Sequence, residues 1–106
     1  MKLVQGSLDL LVLQAVSQQP VHGYGIKAWI DGVSDQELEL DEGALYHALH
    51  RLDRKGLIKG TWQISPDTNR KSKVYSLTKK GRARLAEETA QWEKYIQLLQ
   101  RVMASG

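Results

Sequence analysis

The fold is decided by residues 41–78, which read DEGALYHALHRLDRKGLIKGTWQISPDTNRKSKVYSLT. Asp41 is a residue type that caps helix starts, and Gly56 is the type that most often follows a helix end. Three leucines between them recur at i, i+4 and i+7 and so share one helical face: Leu45, Leu49 and Leu52. The pattern predicts an amphipathic helix over 42–55.

Two strands are predicted after this helix, over 57–64 and 73–78. In the first strand, apolar and polar side chains alternate, as they do in a half-buried strand. The apolar side chains on one face are Ile58, Trp62 and Ile64. Residues 65–72 between the strands are dense in turn-forming residues and end in cations. The pair therefore predicts a hairpin with a long basic tip, the shape of a wing.

Two shorter helices are predicted before this stretch. Ser7 precedes an apolar-rich segment that ends near residue 18, and apolar residues at spacings of three and four predict a second helix over 23–33. The acidic segment 34–40 suits a loop or a short extended piece.

A long final helix is predicted from Thr78 onward, over about 25 residues. Its apolar positions alternate spacings of four and three, the heptad period of a coiled coil. Because so long a helix exceeds what a domain of this size covers, we expect a second copy to pack on it. The predicted dimerisation residues are Leu85, Trp92, Ile96, Leu99 and Met103.

The charges are distributed very unevenly along the chain. Of 106 residues, 15 are lysine or arginine and 12 are aspartate or glutamate, which gives a net charge of +3. Residues 51–84 alone contain eleven of these cations and only two acids, whereas residues 1–50 contain seven acids and two cations. A basic segment of this kind suits a polyanion such as nucleic acid, and a solvated basic face is the alternative.

Several function classes lack the residues that they need. There is no cysteine, which excludes a disulfide scaffold, a thiolate metal site and a cysteine nucleophile. His47 and His50 are three residues apart without a third ligand at a useful spacing, so no metal site is predicted. No catalytic constellation is recognisable. We expect a cytoplasmic protein that is not an enzyme, needs no cofactor and has no membrane segment.

The order helix, helix, helix, strand, strand, long helix predicts a mainly α fold with a small β-hairpin, a winged helix-turn-helix with a long C-terminal dimerisation helix. Residues 1–78 would form the DNA-binding domain and residues 79–106 the dimerisation helix. The basic segment coincides with the end of the third helix and the hairpin, the parts that such a unit presents to DNA.

The predicted DNA contacts fall into two groups. Those on the third helix are expected in the major groove, where arginine can meet guanine with two hydrogen bonds: Tyr46, His47, His50, Arg51 and Arg54. Those at the hairpin tip are expected on the phosphate backbone or in the minor groove: Arg70, Lys71 and Lys73. Phosphate contact or solvent exposure is the alternative for Arg51 and Arg54, and a loop kept soluble by its charge is the alternative for the hairpin tip. Packing against the second helix is the alternative for Tyr46.

The sequence also resembles the PadR-like family of bacterial transcriptional regulators, in the small form with a single C-terminal helix. The resemblance lies in an ordered set of short pieces, which are Gly6 to Leu11, His22 to Ile26, Glu42 to Tyr46 with Leu49, Arg51 and Leu52, Lys55 to Ile58, and Tyr75 to Thr78 with Gly81. It implies a winged helix-turn-helix repressor that is dimeric through its last helix, binds a pseudo-palindromic operator and is often released by a small molecule.

The predicted function is therefore a sequence-specific, double-stranded DNA-binding repressor that acts as a homodimer. A winged-helix protein–protein adaptor is the alternative, because the same fold can hold another protein through its wing or last helix. Trp92 lies in the middle of the predicted seam. Packing across the dimer is the favoured interpretation of this side chain, and one wall of a pocket for a small aromatic effector is the other.

Overall fold

The computed structural model describes residues 1–106 and contains four helices and three strands. In chain order these are α1 (Leu8–Gln18), β1 (Val21–His22), α2 (Gly23–Val33), α3 (Glu42–Arg54), β2 (Ile58–Ile64), β3 (Lys71–Leu77) and α4 (Lys79–Ser105). The predicted mainly α fold, with three helices, a hairpin and a long last helix, is confirmed. None of the four helices combines the length and the apolar character that a membrane-spanning segment requires.

The core lies where α1, α2 and α3 meet the base of the hairpin. The leucine stripe predicted on α3 is fully buried, since Leu45, Leu49 and Leu52 are at most 1% exposed. Each such side chain contributes about 1.5–3 kcal/mol by leaving water. The other helices and the hairpin complete the core with Val12, Leu13, Val16, Ile26, Ile30, Leu57 and Ile58.

Both ends of α3 are fixed by local contacts. The carboxylate of Asp41 accepts a hydrogen bond from the backbone N–H of Ala44 at 2.8 Å, which caps the helix start as predicted. The helix ends at Arg54, and Gly56 follows with φ of +74°, a left-handed conformation that side chains disfavour. The direction of the chain into the hairpin is set at this glycine.

The sheet has one strand more than predicted, in the order β1, β3, β2. Val21 and His22 pair antiparallel with Tyr75 and Val74 of β3, and so attach the start of α2 to the hairpin. A two-residue strand carries no periodic signal and was therefore not predicted.

The hairpin tip is shorter than predicted, because β3 begins at Lys71 instead of at residue 73. Ser65 donates a backbone hydrogen bond to Arg70 at 2.9 Å, and Asn69 adopts the left-handed conformation with φ of +56°. The tip is therefore the compact turn 65–70. We call β2, β3 and this turn the wing.

Candidate nucleic-acid interface

The outer side of α3 presents the residues that sequence reasoning assigned to DNA. Because its inner side is buried by leucines, the opposite side of the helix is exposed along its whole length. We call this exposed side the recognition face, and it consists of Gly43, His47, His50 and Arg54. Three of the five side chains on this helix that were predicted to contact DNA therefore share one surface, namely His47, His50 and Arg54.

Arg51 is turned away from the recognition face. Its guanidinium donates to the carboxylate of Asp9, in the first turn of α1. The two residues are 42 positions apart in sequence, and their ion pair joins α3 to α1. The side chain is 41% exposed. The structure therefore places Arg51 between α3 and α1, beside the surface that it was predicted to share.

Tyr46 lies on the other flank of α3 and packs against the start of α2. A Cβ atom on Gly23 would be 2.9 Å from Cε1 of Tyr46 and 3.1 Å from its hydroxyl oxygen, so the ring occupies the space that this glycine leaves open. The side chain is still 46% exposed. Packing, one of the two interpretations of Tyr46, is therefore observed, and its hydroxyl group remains near the surface.

Lys73 is not at the hairpin tip, where it was predicted, but in the middle of the wing. It pairs with Trp62 of β2, and its ammonium group lies 5.8 Å from the centre of the Trp62 ring and 5.9 Å from that of Tyr75. The same group is 3.9 Å from the carboxylate of Asp53 on α3. The ion pair with Asp53 ties the wing to the end of α3.

Two other wing cations, Arg70 and Lys71, are exposed at the end of the hairpin and form no ion pair. They lie on the compact turn 65–70 and on the first residue of β3, beyond the part of the wing that packs on α3. Both are therefore free to meet an anionic partner.

A groove of about 340 Å³ separates α3 from the wing. Its walls are mainly aromatic, and the rings of His22 and Tyr24 stack within it with centres 5.1 Å apart. Tyr75 lies at the floor of this groove, and its pKa is raised above the ordinary tyrosine value. Burial is the main cause, and the charges of Asp53 and Tyr46 raise the pKa further. The lining rings and imidazoles are His22, Tyr24, Tyr46, His50, Trp62 and Tyr75.

Sequence reasoning missed most of this groove. Trp62 and Ile64 were predicted on the buried face of their strand, yet they are 65% and 59% exposed. Ile58, on the same face of the strand, is buried, because only the base of the wing touches the core. The alternation correctly separated the two sides of β2 but carried no information about where the core ends.

The cations at the start of α4 have a local partner. Lys80 donates a hydrogen bond to the carbonyl oxygen of Lys55 at 2.9 Å, just after the end of α3. A cation is favourable at the negative end of a helix dipole, so the charge that is unfavourable for α4 stabilises α3. Lys79 and Arg82 are exposed beside it.

The predicted dimerisation residues separate into two groups. Leu85 is half-buried and packs against the core of its own chain. Trp92 is half-buried, whereas Ile96, Leu99 and Met103 are 47%, 47% and 73% exposed. The exposed apolar face of α4 also includes Tyr95, Leu98 and Val102.

A small recess on this part of α4 contains Trp92. It has a volume of about 280 Å³ and is lined by Gln91, Trp92 and Tyr95. The two rings meet edge to face, with centres 6.2 Å apart. The molecule contains no cluster of three or more histidine, cysteine, aspartate or glutamate residues that could hold a metal ion.

Comparison with known proteins gives a consistent result. Residues 12–87 match the model of the transcriptional regulator PadR-like family. A PadR family transcription regulator from Clostridium difficile is 26% identical, superposes with a TM-score of 0.79, and the match covers 92% of this chain and 99% of that one. A PadR-like transcriptional regulator from Bacillus cereus is 27% identical with a TM-score of 0.78, and 93% of each chain is covered. Uncharacterized protein X of Lysinibacillus sphaericus is 26% identical over 97 residues, which are 92% of this chain and 88% of that protein.

Proposed function

The chain belongs to the PadR-like family of transcriptional regulators, and we propose that it is a repressor that binds a pseudo-palindromic operator as a homodimer. Members of this family are DNA-binding regulators and not enzymes. The observation that carries the proposal is the recognition face of α3, which presents His47, His50 and Arg54 on one exposed surface beside a wing with free cations.

The recognition face fits direct readout of bases in the major groove, which is wide enough to admit one helix. Arg54 forms no ion pair, so its guanidinium is free to donate two hydrogen bonds to a guanine. His47 and His50 reach base edges or phosphates on either side of it. Arg70 and Lys71 contact the phosphate backbone or the adjacent minor groove from the wing.

The two parts of the chain have separate tasks in this proposal. Residues 1–78 bind DNA, and the helix in 79–106 joins two copies through its exposed apolar face. The support is the exposure of Ile96, Leu99 and Met103, because large apolar side chains seldom form a continuous uncovered surface on a monomer. A dimer then places two α3 helices in successive major grooves about 34 Å apart and blocks transcription by occupancy.

Binding of the purified protein to its own upstream DNA tests the function. The control is a scrambled duplex of equal length, and both are titrated at two salt concentrations. We expect tighter binding to the upstream DNA, two protomers per site, and a weaker complex at higher salt. A protein that binds neither duplex at either salt would contradict the proposal and favour the adaptor function.

A small planar aromatic effector is a second part of the proposal, favoured by the recess that contains Trp92 and Tyr95. Binding there would alter the dimer seam and release the operator. Titration with planar aromatic compounds such as acridine should give a saturable change in tryptophan fluorescence that is lost in Trp92→Phe. An unsaturable or identical response in both proteins would identify the seam as dimer packing alone.

A further inference from the structure

The ion pair between Asp9 and Arg51 distinguishes one cation from the others near the recognition face. Arg51 lies one turn after His47 and three residues before Arg54, both of which are exposed on that face. In the proposed complex, a cation at this position would be close to the phosphates that flank the major groove. The guanidinium instead donates to a carboxylate on α1.

The partner of Arg51 is itself well anchored. Asp9 lies in the first turn of α1, where a negative charge is favourable, and its side chain is only 25% exposed. An arginine held by a carboxylate must give up that ion pair to contact a phosphate, so the lost pair offsets part of the gain from meeting DNA. Arg54, Arg70 and Lys71 have no such competitor, since none of them forms an ion pair.

We propose that Asp9 withholds Arg51 from the DNA backbone and thereby limits the affinity of the protein for non-specific duplex. Asp9 thus limits DNA affinity without touching DNA, and Arg51 positions α3 against α1 instead of contacting the duplex. A phosphate contact carries no sequence information, so the pairing of Arg51 lowers the affinity for every duplex and shortens the time that the protein spends on the many competing non-specific sites. The inference rests on the proposed DNA-binding function.

The test uses a labelled duplex of random sequence and the full chain, with affinity measured by fluorescence anisotropy at several salt concentrations between about 50 and 200 mM. In Asp9→Asn the freed Arg51 should neutralise one more phosphate. The slope of log affinity against log salt should then steepen by about 0.9 per bound protomer, and binding at 50 mM should tighten by roughly tenfold. Asp9→Ser carries the same expectation, and circular dichroism verifies that each variant is folded.

Three further proteins complete the experiment. Arg51→Gln and the double variant Asp9→Asn/Arg51→Gln should both retain the wild-type slope, because neither contains a released Arg51. Glu87→Gln is the matched control, since it raises the net charge by the same amount from an exposed site that pairs with no cation. Its slope should also equal that of the wild type.

The outcomes separate this inference from the proposed function. An unchanged slope in both Asp9 variants, or a slope that flattens in Arg51→Gln, would overturn the role of Asp9 while leaving DNA binding intact. An equal steepening in Glu87→Gln would attribute the effect to net charge and would overturn it as well. Absence of salt-dependent binding by the wild-type protein would instead overturn the proposed function, and this inference with it.

Discussion

The backbone of Gly81 lies directly on the carbonyl oxygen of Leu57, so closely that a Cβ atom at position 81 would overlap that oxygen. Thr78 reinforces the same junction, because its hydroxyl donates to the carbonyl oxygens of Gly56 and Leu57 while accepting from the N–H of Gly81. The first turn of α4 is thus fixed to the end of α3. An arrangement of two copies through α4 would therefore set the spacing of their recognition faces.

Gly81→Ala should strongly destabilise the fold. The added methyl group overlaps a backbone oxygen that cannot move without displacing the start of β2, so the free energy of unfolding should fall by about 3 kcal/mol, the upper part of the range for overpacked sites. Urea denaturation measures this change. Gly32→Ala is the matched control, because nothing lies within 4 Å of the added atom and α2 should gain up to about 1 kcal/mol. Equal stabilities of the two variants would contradict the close packing at Gly81.

Leu99→Glu should separate the proposed dimer into monomers. The change removes two buried leucines from a symmetric seam and places two charges there, so the dissociation constant should rise about 100-fold or more. Sedimentation or light scattering over a range of concentrations gives the constant. Gln97→Glu, on the other side of the same exposed part of α4, adds an equal charge and should leave the dimer unchanged. A wild-type protein that is monomeric at all concentrations would refute the seam.

Arg54→Ala should reduce discrimination between DNA sequences. If the guanidinium reads a guanine, its loss weakens the preferred duplex by about 1–3 kcal/mol and affects a scrambled duplex much less. Competition binding with both duplexes in one buffer measures the difference. Equal weakening of both duplexes would reassign Arg54 to a phosphate.

Lys71→Gln, unlike Arg54→Ala, should weaken DNA binding without changing the discrimination between sequences. A cation on the phosphate backbone carries no sequence information, so its loss should weaken every duplex similarly and flatten the salt slope by about 0.9 per protomer. Glu87→Gln, which changes the charge far from the wing, is expected to leave the salt slope unaltered. A loss confined to one sequence would instead show that the wing reads the minor groove.

The sequence alone predicts the helix α3 and its buried face, but it does not predict the ion pair that Arg51 forms. The helix and its inner face were predictable because burial imposes a period, and Leu45, Leu49 and Leu52 display it. The partner of Arg51 was not predictable, since a contact between residues 42 apart has no local signature. Trp62 was assigned to the buried side for a related reason: alternation identifies two sides of a strand but not which portion of it leaves the core.

Tyr75 should make the stability of the fold sensitive to alkaline pH. Burial first, and then the charges of Asp53 and Tyr46, raise the pKa of Tyr75 above its ordinary value of 10.0. The phenol therefore ionises more readily in the unfolded chain than in the folded one. Its contribution to stability is complete below the unfolded pKa and is lost as pH rises toward the folded pKa.

The free energy of unfolding of the wild type should accordingly fall more steeply than that of Tyr75→Phe between about pH 9 and 11, the range around the ordinary tyrosine pKa. Urea denaturation at several pH values gives both curves, and their difference removes the contribution of lysines common to the two proteins. Tyr95→Phe, on the exposed part of α4, should follow the wild-type curve. Parallel curves for wild type and Tyr75→Phe would mean that Tyr75 ionises equally in both states, and hence that the groove floor is open to water.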